Sequence, residues 1–272
     1  MRCRGTIEAK TGLSLDLTYR LWGVLFAVTE ITHLTQEILS GAGYVVVPDV
    51  LTPEMAQEMR SQVLELARHC PQEEKRQRVY GLIYQDPQFA ALVEHPQVFS
   101  LAREILGDRL RLGGFSAHVL HAGASAMGIH VDYPYWAMEP PFPDRPVLEV
   151  QAIWMLEDFD QANGAPIFAP GSQTLCDTPD VQRFDRTARS VSGQAGSVVI
   201  SHGLCWHDTG KNYTTKPRVS LLANYTAKFI QPLEDFRYGC DRHRFDQASP
   251  TLKHLLRYDF KPATDPIYPL WD

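Results

Sequence analysis

The chain has 272 residues, 44% of them apolar and 21% charged. That is enough apolar sequence to bury a sizeable core without staples, and it excludes a disordered, collagenous or coiled-coil chain. Lys and Arg total 26 against 32 Asp and Glu, a net charge of −6, so there is no basic excess for phosphates and nucleic-acid binding is excluded as a main role.

Leu21 to Val28 (LWGVLFAV) forms an apolar run of eight residues, whereas a membrane span takes about twenty. Glu8, Lys10 and Asp16 interrupt the approach that a signal peptide would need. Neither a membrane segment nor a leader is expected, and residues 15–40 read as helix packing on the core. Cys3, Cys70, Cys176, Cys205 and Cys240 contain no Cys-x-x-Cys, which fits a reducing, cytoplasmic setting. Gly43 to Val47 is a short β-branched strand candidate. Thr52-Pro53 has the form of an N-cap followed by proline at the first helical position, and Met55, Met59, Val63 and Leu66 then recur at helical spacing to about Arg68. Pro96 opens another helix, with Val98, Phe99, Ala102, Ile105 and Leu106 on one face, and Gly107 stops it.

Beyond residue 110 the period changes from about 3.6 to 2. Strands are expected at 111–121, 128–133, 147–156, 165–169, 189–192, 196–201 and 217–230. Between them lie Gly123, Pro140-Pro141, Asn163-Gly164, Pro170-Gly171, Gly193 and Lys216-Pro217. Many short strands with regular turns predict a mainly β fold with flanking helices: a sandwich, a jelly roll or a small barrel. Residues 134–146 hold five prolines and are expected to loop over the mouth. No repeat is visible, so residues 1–272 read as one domain, with a helical extension over 1–37 and a tail over 233–272. The Asn-x-Thr sequons at Asn212 and Asn224 read as coincidental without a secretion signal.

Within 128–133, His130 and Asp132 stand two apart and so face one volume if the segment is extended. A distant second histidine would complete a 2-His-1-carboxylate triad, which leaves open positions and suits non-haem Fe(II). His207, in Trp206-His207-Asp208-Thr209-Gly210-Lys211-Asn212, is the best candidate. His202 is a rival five residues earlier, and His118 and His121 fit core or rim positions better than ligand positions. Cys205 reads as a buried inert thiol. Eleven residues after His207 comes Arg218. Its strand puts Arg218, Ser220, Leu222 and Asn224 on one face and Val219, Leu221, Ala223, Tyr225 and Ala227 on the other. A cation on an inward face needs an anionic partner, either a ligand carboxylate or a structural acid such as Asp208.

His-Val-Asp, then Trp-His-Asp-Thr-Gly-Lys-Asn about 75 residues on, then Arg218, resembles the phytanoyl-CoA dioxygenase family of Fe(II)/2-oxoglutarate-dependent oxygenases. The resemblance covers residues 38–232. It includes Gly43 to Thr52 (GYVVVPDVLT), Trp154 to Phe159 with Asn163-Gly164-Ala165 and Pro170-Gly171-Ser172, and the order His207, Thr209, Gly210, Asn212, Arg218. Gln173 departs from the histidine often found after Pro-Gly-Ser, at a position that is not a ligand.

The resemblance implies a double-stranded β-helix, or jelly-roll, core from about residue 111. It implies Fe(II) on His130, Asp132 and His207, with 2-oxoglutarate and O2 as cosubstrates. Arg218 would hold the distal 2-oxoglutarate carboxylate beside Thr209. Gln151 and Trp154 lie on the strand that lines the cosubstrate pocket, and which of them points inward is open. Trp136 matches an aromatic that faces substrate in some relatives, and Tyr133, Tyr135 and Asn224 are further substrate-side candidates. The implied reaction releases succinate and CO2 while oxidising a small organic molecule. Related halogenases lack the carboxylate, so Asp132 implies hydroxylation, desaturation or ring formation instead. Two other readings stay open: a cupin-like metal enzyme that does not use 2-oxoglutarate, and a non-catalytic relative.

Overall fold

Alternating residues, most of them beyond residue 110, build two antiparallel sheets with a polar space between them. The computed structural model describes residues 28–258 apart from Cys240. Its helices are α1 (Val28–Ser40), α2 (Pro53–Ala67), α3 (Pro87–Leu92), α4 (Pro96–Leu106), α5 (Val181–Thr187), α6 (Arg242–Gln247) and α7 (Pro250–Leu255). Its strands are β1 (Tyr44–Val47), β2 (Arg76–Val79), β3 (Arg111–Leu120), β4 (Glu149–Met155), β5 (Pro166–Phe168), β6 (Arg189–Ser190), β7 (Val198–His202), β8 (His207–Thr209) and β9 (Arg218–Thr226). The large sheet runs β1-β7-β4-β9-β3-β2 and the small one β6-β5-β8, the two walls of a jelly roll.

Each wall follows from period 2. On the large sheet Val45, Val47, Val198, Ile200, Val150, Ala152, Trp154, Val219, Leu221, Ala223 and Tyr225 share a hydrophobic core with α1, α2 and α4. The opposite face carries Ile153, Met155 and Val199, which meet Phe159 and Phe168 from the small-sheet side. Every residue of β4 is buried, as expected for a central strand covered on both faces. The helices start as their residues dictate: Thr52 Oγ1 accepts from Met55 N at 3.2 Å with Pro53 following, and Gly107 ends α4 at φ 85°.

Three expectations are corrected. Residues 128–133 are no strand: one isolated bridge joins His130 to His207, because Gly128 takes φ 113°, a conformation outside any ladder. β2 adds a second strand to the first 110 residues, its Arg-Gln-Arg-Val lacking the apolar signal of a strand because it is a sheet edge. β8 is a strand between the ones expected at 196–201 and 217–230, where none was expected, pairing with β5 from Pro166–Thr209 to Phe168–His207.

Of the expected N-terminal helix, the part from Val28 is described and the rest, with most of the Leu21–Val28 run, lies outside the described residues. In the tail Tyr258 packs on the core, while Phe260, Tyr268 and Trp271 lie outside the described residues. Among the described residues no helix is long and apolar enough to cross a membrane, and Cys70, Cys176 and Cys205 are free thiols.

Candidate metal centre

His130, Asp132 and His207 converge, with one ligand atom from each lying within 4.8 Å of the others. His207 Nε2 is 3.6 Å from Asp132 Oδ2, and the two imidazoles stand 4.2 Å apart at their centroids. His207 is presented by β8. His130 is pinned to it by paired backbone bonds, His130 N to His207 O at 2.9 Å and His207 N to His130 O at 3.1 Å. Both histidines use Nδ1 on a backbone carbonyl, His130 on Gly128 O and His207 on Cys205 O, each at 2.8 Å. A carbonyl only accepts, so each Nδ1 carries a proton and each Nε2 is the ring nitrogen left to face a metal. Burial, then the neighbouring His207, hold His130 below the usual imidazole range against the opposing pull of Asp132, favouring the neutral form that binds metal.

Two residues outside the triad order it. Gln151 Nε2 donates to Asp132 Oδ2 at 3.0 Å, fixing the carboxylate. Asp208 Oδ1 accepts from Met127 N at 3.0 Å, Gly128 N at 2.9 Å and Thr209 N at 2.6 Å, so one buried carboxylate clamps the loop carrying His130 onto the strand carrying His207. Asp208→Ala is expected to lower metal affinity by about 10–100-fold, the usual cost of losing a partner that orients a ligand. Asp208→Asn, which keeps an acceptor oxygen, should recover most of it. Calorimetric titration of the apo-protein with Zn(II) reads both, and equal affinities in all three proteins would remove Asp208 from the site.

The interior behind the triad is polar and incompletely satisfied. Arg218 is 3% exposed. Its Nη1 donates to Ser220 Oγ at 3.2 Å, its guanidinium lies 4.5 Å from the Phe159 ring centroid, and its Nε has no partner. It makes no ion pair among the described residues. Glu157 is near but is engaged by Arg60 at 2.9 Å and Val219 N at 2.8 Å, and Asp208 is engaged by backbone, so a structural pair does not explain Arg218. Burial pushes its pKa down to about 10. Gln151 Oε1, Ser201 Oγ and Glu149 Oε2 are also buried without partners among the described residues. Orphaned buried polar atoms around a two-histidine, one-carboxylate cluster fit a site made for a metal and a polar, anionic co-ligand. Thr209 stands two residues from His207 on β8, so it issues from the same face.

A cleft of about 630 Å³ opens from the triad, lined by His130, Asp132, Tyr133, Trp136, Gln151 and Asn224 among others. Trp136 is 59% exposed at its mouth and packs on Tyr133 at 5.6 Å. Asn224 Nδ2 donates to Glu149 Oε1 at 2.9 Å. Two candidates stand elsewhere. Trp154 is fully buried in the helix-side core against Phe115, because it is an odd number of residues from Gln151 and must face the other way. Tyr135 is fully buried beside Phe142, with its hydroxyl accepting from Leu148 N at 2.8 Å, so it holds the proline-rich loop rather than the cleft. The rival His202 accepts from Leu204 N at 3.0 Å, and burial lowers its pKa to about 4. His121 bonds Gln77 at 2.6 Å. Cys205 is buried with its thiol pushed up to about 12, too high for a thiolate ligand.

Glu149, Arg78 and Glu234 escaped the sequence reading. Glu149 is fully buried, its carboxyl raised well above the usual range by burial and then by Asp132. A Cβ at Gly203 would stand 2.4 Å from Glu149 Oε2, so only glycine leaves room for that carboxyl. Arg78 and Glu234 line the cleft from β2 and from the tail.

The chain is similar to known proteins in sequence and in fold. The chain is 32% identical over 183 residues to dioxygenase af480 of Aspergillus fumigatus, a match covering 66% of this chain and 58% of the fungal protein. In fold it is similar to the epimerase SnoN, solved with Fe3+, alpha-ketoglutarate and nogalamycin RO, at TM-score 0.62 and 21% identity over 74% of this chain and 85% of SnoN. It is likewise similar to HygX from Streptomyces hygroscopicus, solved with nickel and 2-oxoglutarate, at TM-score 0.60 and 17% identity over 77% and 90% of the two chains. The profile of phytanoyl-CoA dioxygenase (PhyH) matches residues 39–220, more than half of the sequence and a span that includes all three triad residues, and this chain belongs to the phytanoyl-CoA dioxygenase family.

Proposed function

We propose that this protein is a non-haem Fe(II)/2-oxoglutarate-dependent dioxygenase that oxidises an unactivated C–H of a small organic molecule. Hydroxylation is the outcome its intact carboxylate favours. The balance is substrate C–H, O2 and 2-oxoglutarate to substrate C–OH, succinate and CO2. The observation that carries the reading is the pairing of a 2-His-1-carboxylate cluster with a buried arginine that has no carboxylate partner among the described residues.

His130, Asp132 and His207 would hold Fe(II) on one face and leave the other open. The chemistry supplied there, when iron and 2-oxoglutarate are bound, is O2 activation coupled to oxidative decarboxylation of the keto acid. The chain's own part is placement. Gln151 and Asp208 keep the ligands aligned, and Arg218 offers its planar fork to the distal carboxylate, with the Thr209 hydroxyl on the same side as His207. Tyr133 and Trp136 close the mouth against water and present apolar surface to substrate.

Anaerobic titration of apo-protein with Fe(II) and then 2-oxoglutarate tests this. A visible charge-transfer band on adding the keto acid is the expected result. Iron uptake with no band would refute the 2-oxoglutarate reading and favour a cupin-like enzyme, and failure to bind iron would refute the triad.

A further inference from the structure

The mouth of the cleft draws apolar side chains from separate segments. Met127, Tyr133 and Trp136 flank the triad residues His130 and Asp132, while Tyr80 and Leu233 come from the segments that follow β2 and β9. Tyr80, Met127, Trp136 and Leu233 are 44 to 61% exposed, and large apolar side chains left bare around one cleft mark a binding surface. Leu233 is fixed in place by β3. The β3–β9 register slips between Leu112 and Gly114, a bulge of the kind that frees ladder groups. Leu233 N donates to Gly113 O at 2.7 Å and Phe115 N donates to Glu234 Oε1 at 2.6 Å, so the segment after β9 is stitched to the bulge. That segment lies past residue 220, where the match to the family profile ends.

The charges that line the cleft are already engaged. His130 and Asp132 belong to the triad. The pKa of Arg218 is pushed down by burial and, beyond that, by the charge of Arg78, which places both cations at the cosubstrate end. Glu234 is held by Phe115 N. The remaining polar lining, Ser116, Gln151 and Asn224, carries no charge. A charged substrate would lose its hydration here and meet no counter-charge. We infer that the primary substrate is an uncharged molecule whose apolar body reaches from Trp136 to Tyr80 and Leu233, and that the segment after β9 is the specificity element that selects it. A cleft of about 630 Å³ accommodates a mid-sized body of that kind. This inference rests on the function proposed above.

The test uses anaerobic protein loaded with Fe(II) and 2-oxoglutarate, titrated calorimetrically with four matched probes: 4-phenylcyclohexanol, 4-phenylcyclohexanecarboxylate, 4-phenylcyclohexylammonium and cyclohexanol. In the wild type the phenyl alcohol should bind at least about tenfold more tightly than either charged analogue, which must desolvate its charge. It should exceed cyclohexanol by a similar factor, because the added ring buries further apolar area. Leu233→Asp should weaken the phenyl alcohol by at least about tenfold and Leu233→Met by no more than about twofold, with apo melting temperature and 2-oxoglutarate affinity at the wild-type level. Tyr80→Asp tests the same wall from another segment and should give the same loss. A charged analogue that binds as tightly as the alcohol, cyclohexanol of equal affinity, or a phenyl alcohol that does not bind would each overturn the inference. So would unchanged affinity in both aspartate variants. A wild type that fails to take up 2-oxoglutarate at all is detected before any probe is added, and overturns the underlying function instead.

Discussion

Asp132→Ala is expected to lose succinate release by about three orders of magnitude or more, roughly 4 kcal/mol in barrier terms, while the apo-protein keeps its fold. Three ligand atoms lying within 4.8 Å of one another would define the face that metal occupies, and removing the only carboxylate takes away both the third ligand and its negative charge. Folding does not depend on that charge in the same way. The Asp132 carboxylate accepts a hydrogen bond from Gln151 Nε2, and the backbone bond from Asp132 N to Gly203 O at 2.8 Å survives the substitution. The discriminating measurement is therefore a pair: Fe(II) affinity falls, and the apo melting temperature moves by no more than a few degrees. Full turnover in the variant would dismiss the triad. A large fall in apo stability would mark Asp132 as a structural residue.

Arg218→Met carries the second large effect. Losing one partner of a desolvated charge pair costs about 2–5 kcal/mol, roughly 30-fold or more in apparent 2-oxoglutarate affinity. The control on this reading is stability of the apo-protein. Arg218 is buried, its Nε is orphaned, and no ion pair among the described residues compensates it, so replacing it with an apolar chain of similar length should leave the apo-protein as stable or more stable. A structural arginine would give the opposite sign. Arg218→Lys keeps the charge but not the fork, and should fall between the two. An unchanged 2-oxoglutarate requirement in Arg218→Met would show that the anchor is elsewhere, with Arg78 the next residue to change.

Several features of the site were legible because they are local. The alternation of Arg218, Ser220, Leu222 and Asn224 against Val219, Leu221, Ala223 and Tyr225 needs only the two-residue period of a strand, and the apolar set does meet the helix-side core. Thr52 and Pro53 specify a helix start within one turn. His130 and Asp132 share a volume although their segment is not a strand, because backbone bonds from His130 N to His207 O and from Asp132 N to Gly203 O hold both residues against the segment that carries His207. The three-residue gap between Gln151 and Trp154 already meant that only one could face inward.

Other features had no local signal. Whether Gln151 or Trp154 took the inner face depended on which side of β4 the helices covered. Tyr135 looked like its neighbours Tyr133 and Trp136, and the turn at Tyr135–Ala137 sent it into the core and left the others at the mouth. Arg78 sat in a polar stretch with no strand pattern until β2 paired with β3.

The sequence by itself determined the chemistry on offer: two histidines, a carboxylate and an arginine at a spacing that a jelly roll brings together, with the face of the arginine set by strand periodicity. Only the tertiary structure decided which groups complete that chemistry. Asp208 meets Met127 and Gly128 across 81 and 80 residues, Glu234 reaches Phe115 across 119, and Arg78 enters the cleft from a sheet edge. Such contacts follow from strand order and sheet closure, which act between distant segments and leave no period in the chain.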